Sequence, residues 1–256
     1  MKIKIALVMV LLTLAFAARA ELPVGSLLDG VKPGADGKID VITIFPHQDD
    51  ETIFAGGTIL KMKQDPRVRV HIMCLTLGEL SSAKEQLHIT PELQGKIRVQ
   101  ELLAAAAVLQ ADEVIQMDYH DQGLAGADQK VLRQKILDAI DKTGAEVVIT
   151  YGPDGMSGHI DHRTLSKAVT DVFPQSKAQK LYYAAITKSL GPIYKAVNKV
   201  GYTEATIAID IKPYKKLKKL AMYEHATQKF FSGTFTSPNI ESWYDYEWFE
   251  LAATNP

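Results

Sequence analysis

Phe45-Pro46-His47-Gln48-Asp49-Asp50-Glu51 places one imidazole beside three acidic side chains. Adjacent carboxylates repel one another, so a positive charge is expected among them, and a divalent metal is the simplest source. Gly158-His159-Ile160-Asp161-His162 repeats the mixture of histidine and aspartate. Imidazole with carboxylate suits zinc, and a catalytic zinc keeps three protein ligands and one open position for water. His47 and Asp50 are three apart and could reach one ion. Of His159 and His162, also three apart, one would complete the ligand set while the other faces a substrate. His71, His88 and His120 read instead as ordinary hydrogen-bonded histidines.

Such side chains need strand ends to hold them. Val41-Ile42-Thr43-Ile44 is short and β-branched, follows the turn former Gly34-Ala35-Asp36-Gly37, and reads as a buried strand. Thr52 to Leu60 can follow as a helix, weakened by two glycines. Further strands are expected at 67–76 (Val68, Val70, Ile72 and Cys74 on one face), 113–117, 146–150, 180–186 and 205–211. Helices are expected at 94–109, 131–140, 163–172 and, with proline at its start, 213–231. Strand and helix alternate four times before residue 175, which predicts parallel βαβ units in a layered α/β domain. Each polar cluster (47–51, 76–79, 118–121 and 159–162) directly follows an expected strand. A parallel sheet would deliver all four to the same edge, where open α/β sheets bind ligands.

Those motifs resemble the LmbE-like (PIG-L) zinc-dependent N-acetylglucosaminyl deacetylases: His47-x-Asp49-Asp50-Glu51, then Thr76-x-Gly78-Glu79, Arg98-x-x-Glu101, Asp121-x-Gly123-Leu124, Gly158-His159-x-Asp161-His162 and His225-Ala226-Thr227-Gln228. The resemblance implies a Rossmann-like three-layer fold with a mostly parallel central sheet, and hydrolysis of an N-acyl group on a glucosamine-containing molecule. It implies zinc, or another divalent metal such as Fe2+, on His47, Asp50 and His162. It makes Asp49 the general base and His159 the group that steadies the oxyanion, and it puts Arg98 and Asp121 against the sugar. Asp161 would orient a histidine from behind. Asp49 is not expected to be a ligand beside Asp50, since successive strand residues point to opposite faces. Two departures stand out. Gln48 occupies a place usually held by proline, which should loosen the turn. Ser157 stands where some relatives carry an aromatic residue, leaving the oxyanion to His159. Glu79 and His225 are left between loop-bracing and substrate-contacting roles, and Glu51, at a helix start, reads as a favourable charge on the helix dipole.

Lys2 and Lys4 precede an apolar run from Ile5 to Ala17, and Ala18-Arg19-Ala20 offers a small-residue cleavage site. That is the pattern of a secretory signal peptide, so residues 1–20 are expected to be removed after Ala20, leaving one catalytic domain over 21–256 in the periplasm or outside the cell. Losing three basic residues and no acids takes the formal charge from −1 to −4. That balance gives no reason to expect nucleic-acid binding, and Lys215, Lys216, Lys218 and Lys219 read as a solvated helix face. No second long apolar run follows, so stable membrane insertion is not expected after cleavage. The single cysteine, Cys74, allows no internal disulfide and reads as a buried, inert thiol. The expected partner is a small molecule or glycan bearing an N-acetyl amino sugar. Alternatives are another amide, such as a glycopeptide or cell-wall amide, or a catalytically silent carbohydrate-binding protein. Specificity is expected to reside in 80–91 and 187–201, and the aromatic tail 244–251 to pack on the body.

Overall fold

The computed structural model describes residues 22–231 and 245–256. Its strands are β1 (Ile39–Phe45), β2 (Val68–Thr76), β3 (Glu113–Tyr119), β4 (Val147–Tyr151), β5 (Lys180–Ala184), β6 (Ile207–Asp210) and β7 (Tyr246–Thr254). The helices that matter here are α1 (Asp50–Met62), α2 (Ala83–Leu87), α3 (Pro91–Val108), α4 (Gln129–Thr143), α5 (Ile160–Val172), α6 (Gly191–Asn198) and α7 (Lys215–Glu224). One sheet runs in the order β3-β2-β1-β4-β5-β7-β6. Its first five strands are mutually parallel, and β7 runs antiparallel to both its neighbours.

The three layers follow from strand alternation. Ile39, Val41 and Phe45 of β1, with Val68, Val70, Ile72 and Cys74 of β2, face a core shared with α1, α3 and α7. Ile42 and Ile44, with Met73 and Leu75, face the opposite core with α4 and α5. This is the expected α/β, Rossmann-like arrangement. The chain order reverses between β1 and β4, which opens a crevice at their carboxyl ends.

Several expectations need correction. The tail does pack on the body, as expected, but as a strand inserted between β5 and β6, hidden from the pattern because β7 buries Glu247 alongside Phe249. The helix expected over 213–231 ends at Glu224, where His225 leaves helical geometry (φ −76°, ψ 59°). Lys218 is not solvated: it is 3% exposed and pairs with Glu247. The two expected specificity segments contain α2 and α6. Cys74 is buried and its thiol pKa is raised by burial, as expected of an inert thiol. The signal-peptide segment 1–20 and Tyr244 lie outside the described residues. Among the described residues no helix is long and apolar enough to cross a membrane.

Candidate metal centre

The loop between β1 and α1 turns sharply. Asp49 adopts φ 116°, ψ −27°, unusual for a side chain with a Cβ and worth about 1–3 kcal/mol of strain. Its N–H is held by Glu51 Oε2 at 3.2 Å. This turn, rather than strand alternation, separates the directions of Asp49 and Asp50, since Asp50 already belongs to α1.

Three donors converge beside it. His47 Nδ1 lies 3.0 Å from His162 Nε2 and 3.5 Å from Asp50 Oδ2, and His162 Nε2 lies 3.7 Å from the same oxygen. Ligands at roughly 2.0–2.1 Å on a tetrahedral ion would stand roughly 3.3–3.4 Å apart. The ring protons point elsewhere. His47 Nε2 faces Asp121 Oδ1 at 3.2 Å and Asp161 Oδ2 at 3.3 Å, and His162 Nδ1 donates to the Gly155 carbonyl at 2.9 Å. With both rings neutral, two nitrogen lone pairs and a carboxylate oxygen therefore face one another. That arrangement asks for a cation, with the outer hydrogen bonds fixing each tautomer.

The charges of these groups are strongly interdependent. Burial works against a charged His47, yet Asp121, Asp161 and Asp50 hold its pKa well above the usual value. Burial likewise opposes the Asp50 carboxylate, but His162 and His47 hold its pKa down. Burial lowers the pKa of His162 against the opposing pull of Asp50, which favours the neutral ring a ligand needs. Burial also raises the Asp49 carboxyl to about 6, with Arg98 pulling it down and Asp50 pushing it up.

His159 caps α5, its Nδ1 accepting the Asp161 N–H at 3.2 Å. A neutral ring then carries its proton on Nε2, as a donor. The ring is half-buried and meets His47 edge to face, with centroids 4.8 Å apart. A nitrogen of His159 also lies within 4.8 Å of those of His47 and His162, so these three could share an ion, as could His47, Asp121, His159 and Asp161.

The structure brings Asp121 and Asp161 together on His47. Asp161 Oδ2 also accepts the Gln122 N–H at 2.6 Å and its Oδ1 the Leu124 N–H at 3.1 Å. Arg98 is 4% exposed; its Nη2 donates to the Gln48 carbonyl and lies 3.3 Å from Asp49 Oδ1, while Nη1 reaches the Gly78 carbonyl at 3.4 Å. Through these contacts Arg98 braces the Asp49 turn. Glu79 braces too, accepting the Asp121 N–H at 3.1 Å and meeting His120 Nδ1 at 3.0 Å. His225 Nε2 sits 3.3 Å from Glu51 Oε1. Sequence reasoning missed Tyr151, whose hydroxyl donates to Asp50 Oδ1 at 2.6 Å. Its place at the end of β4, on the ligand-binding edge, was the available signal.

The PIG-L family model, described as GlcNAc-PI de-N-acetylase, matches residues 42–173, which include every one of these groups except His225. The chain belongs to the PIG-L family. By class, this PIG-L protein is an N-deacetylase. It is 30% identical over 196 residues to a probable N-acetyl-alpha-D-glucosaminyl L-malate deacetylase 2 of Bacillus anthracis, covering 73% of this chain and 80% of the relative. The fold matches N,N'-diacetylchitobiose deacetylase from Pyrococcus horikoshii with a TM-score of 0.64 and 20% identity, over 88% of each chain. It also matches the 4-carboxy-2-hydroxymuconate hydratase of Pseudomonas putida KT2440 with a TM-score of 0.62 and 16% identity, over 85% of this chain and 98% of that one. One fold thus carries different chemistries, and the fold alone does not choose between them.

Proposed function

We propose that this PIG-L protein is an exported, dication-dependent hydrolase that removes the N-acetyl group from a GlcNAc-type amino sugar or its conjugate. The observation that carries the reading is the convergence of His47 Nδ1, Asp50 Oδ2 and His162 Nε2 beside an Asp49 carboxylate spent on no helix cap. Membership of the family and the deacetylase names of relatives support the substrate class.

His47, Asp50 and His162 would hold the ion, and zinc and Fe2+ both suit this donor set. When bound, such an ion makes a water acidic enough to ionise near neutrality and polarises an acyl carbonyl. Asp49 accepts the proton of the attacking water and returns it to the departing amine. Arg98 holds Asp49 in place through its Oδ1. His159 Nε2–H donates to the oxyanion of the tetrahedral intermediate, a role that Ser157 leaves to it. Asp121 and Asp161 keep the proton of His47 on Nε2.

Acetate release from N-acetyl amino sugars and their conjugates tests the reading. A chelator is expected to abolish it, and Asp49→Asn to lower it by about 10²–10⁴-fold with metal content unchanged. Full activity in Asp49→Asn would remove the base from the scheme. Turnover confined to fatty-acyl or peptidyl amides would change the substrate class, and sugar binding by the metal-replete protein without any turnover would make it a binding protein. Export is tested separately: the secreted chain should begin near Glu21, and an earlier start would contradict cleavage after Ala20.

A further inference from the structure

Tyr151 takes no part in the proposed reaction, yet two of the three converging donors lean on it. Its hydroxyl donates to Asp50 Oδ1 at 2.6 Å. Its ring lies flat on the His162 ring, with centroids 4.3 Å apart and planes 8° from parallel. Phe45 and Phe54 meet that ring edge-on, at centroid distances of 4.8 and 5.3 Å. Tyr151 is fully buried, so water does not substitute for either contact.

The consequence concerns which oxygen Asp50 offers. A carboxylate can turn either oxygen, or both, toward a cation. With Oδ1 taken by the phenol, Oδ2, which also accepts the His47 N–H at 3.1 Å, is the oxygen that faces His47 Nδ1 and His162 Nε2. The imidazole contact is equally restrictive: the Gly155 carbonyl fixes the His162 ring at Nδ1, and the Tyr151 face fixes its plane. One side chain therefore shares in orienting both a carboxylate from α1, with the His47 N–H, and an imidazole from α5, with the Gly155 carbonyl.

We propose that Tyr151 is a positioning residue for the metal centre, its hydroxyl reserving Asp50 Oδ2 for the ion and its ring fixing the plane of His162. The proposal rests on the reading that His47, Asp50 and His162 hold a dication.

The test uses full-length protein stripped of metal and titrated with Zn2+ against a chromophoric chelator, then loaded with Co2+ for its visible d–d spectrum. Tyr151→Phe should bind Zn2+ about 10–100-fold more weakly, the usual effect of losing an outer hydrogen bond to a ligand. Its Co2+ bands should shift, and kcat should fall with KM little changed. Phe54→Leu loosens the same aromatic cluster without touching a donor; it should lower the unfolding midpoint and leave the Co2+ spectrum as in wild type. Tyr151→Leu removes the hydroxyl and the stacked ring together, and provides the second variant if Tyr151→Phe does not fold; it should bind Zn2+ no more tightly than Tyr151→Phe and show a shifted Co2+ spectrum. Wild-type affinity and spectrum in the folded Tyr151 variants would overturn the proposal while leaving the site reading intact. A wild-type protein that binds neither ion would overturn the site reading itself.

Discussion

Asp161 shows how one side chain can serve the site without facing its open side. It is fully buried, and its two oxygens join three things: His47 Nε2 and the N–H groups of Gln122 and Leu124. Replacing Asp161 with asparagine trades one acceptor for a donor and deletes the charge, so one of those N–H groups must face another donor. Metal affinity in Asp161→Asn is expected to fall about 10–100-fold, read by chelator competition. Unchanged affinity would mean that Asp121 alone holds His47. At this scale the sequence revealed residue types well and contacts poorly. The histidines and aspartates could be picked out because few other roles explain their spacing. Gln48 could not be read the same way. Expected to loosen the turn, it is fully buried and its Nε2 donates to the Thr76 carbonyl at 2.7 Å and Gln116 Oε1 at 3.2 Å. It ties the loop to the edge formed by β2 and β3, a role set by groups distant in sequence.

Among the elements, α1 is anchored by the C-terminal part of the chain. Its glycines weakened the helix expectation, but Gly57 is required by contact: a Cβ there would lie 2.5 Å from Ile211 Cδ1. Beside it, Glu247 of β7 accepts the N–H groups of Gly57 and Thr58 at 2.8 and 2.7 Å. Lys218 of α7 reaches Glu247 Oε1 at 2.6 Å and the Ile53 carbonyl at 2.7 Å. A buried pair thus ties the C-terminal strand and the last helix to the helix that begins with Asp50. The parallel βαβ half was legible because its apolar periodicities coincide with burial. This end was not, because it buries a lysine and a glutamate at positions a binary pattern assigns to solvent. Lys218→Met should cost about 3–5 kcal/mol, since it leaves the Glu247 charge buried without its cation. Urea unfolding at neutral pH measures this, and a loss below about 1 kcal/mol would show that the pair contributes no more than a surface bridge.

Across the whole molecule, the parallel sheet separates two charged groups of opposite purpose. Its carboxyl edge carries the candidate metal centre. Near the other edge, Asp40 receives Arg69 Nε at 2.7 Å and meets His71 Nε2 at 2.8 Å, while His71 Nδ1 meets Glu113 at 2.9 Å. Asp36 joins Arg69 at 2.8 Å, and Glu146 accepts the Asp40 N–H at 2.6 Å. Burial opposes the Asp40 charge, but Arg69 and His71 bring its pKa below the usual 3.8. The unfolded chain then binds this proton more readily, so Asp40 contributes stability that is present above about pH 4 and disappears as pH falls through its lower folded value. Asp36, lowered mainly by the Lys38 N–H, acts in the same direction. Glu146 has the opposite sign: burial raises it above 4.5, so its protonation favours the folded state as pH falls through that raised value. Wild-type stability should therefore be held up by Glu146 on first acidification and then drop once Asp40 is titrated. Urea midpoints at pH 7, 5 and 3 should show a smaller loss between pH 5 and 3 for Asp40→Asn than for wild type, from a lower starting value at pH 7. Equal losses in the two proteins would contradict this account. The same substitution should leave metal affinity at neutral pH unchanged, because the sheet places this network and the three converging donors at opposite ends of β1.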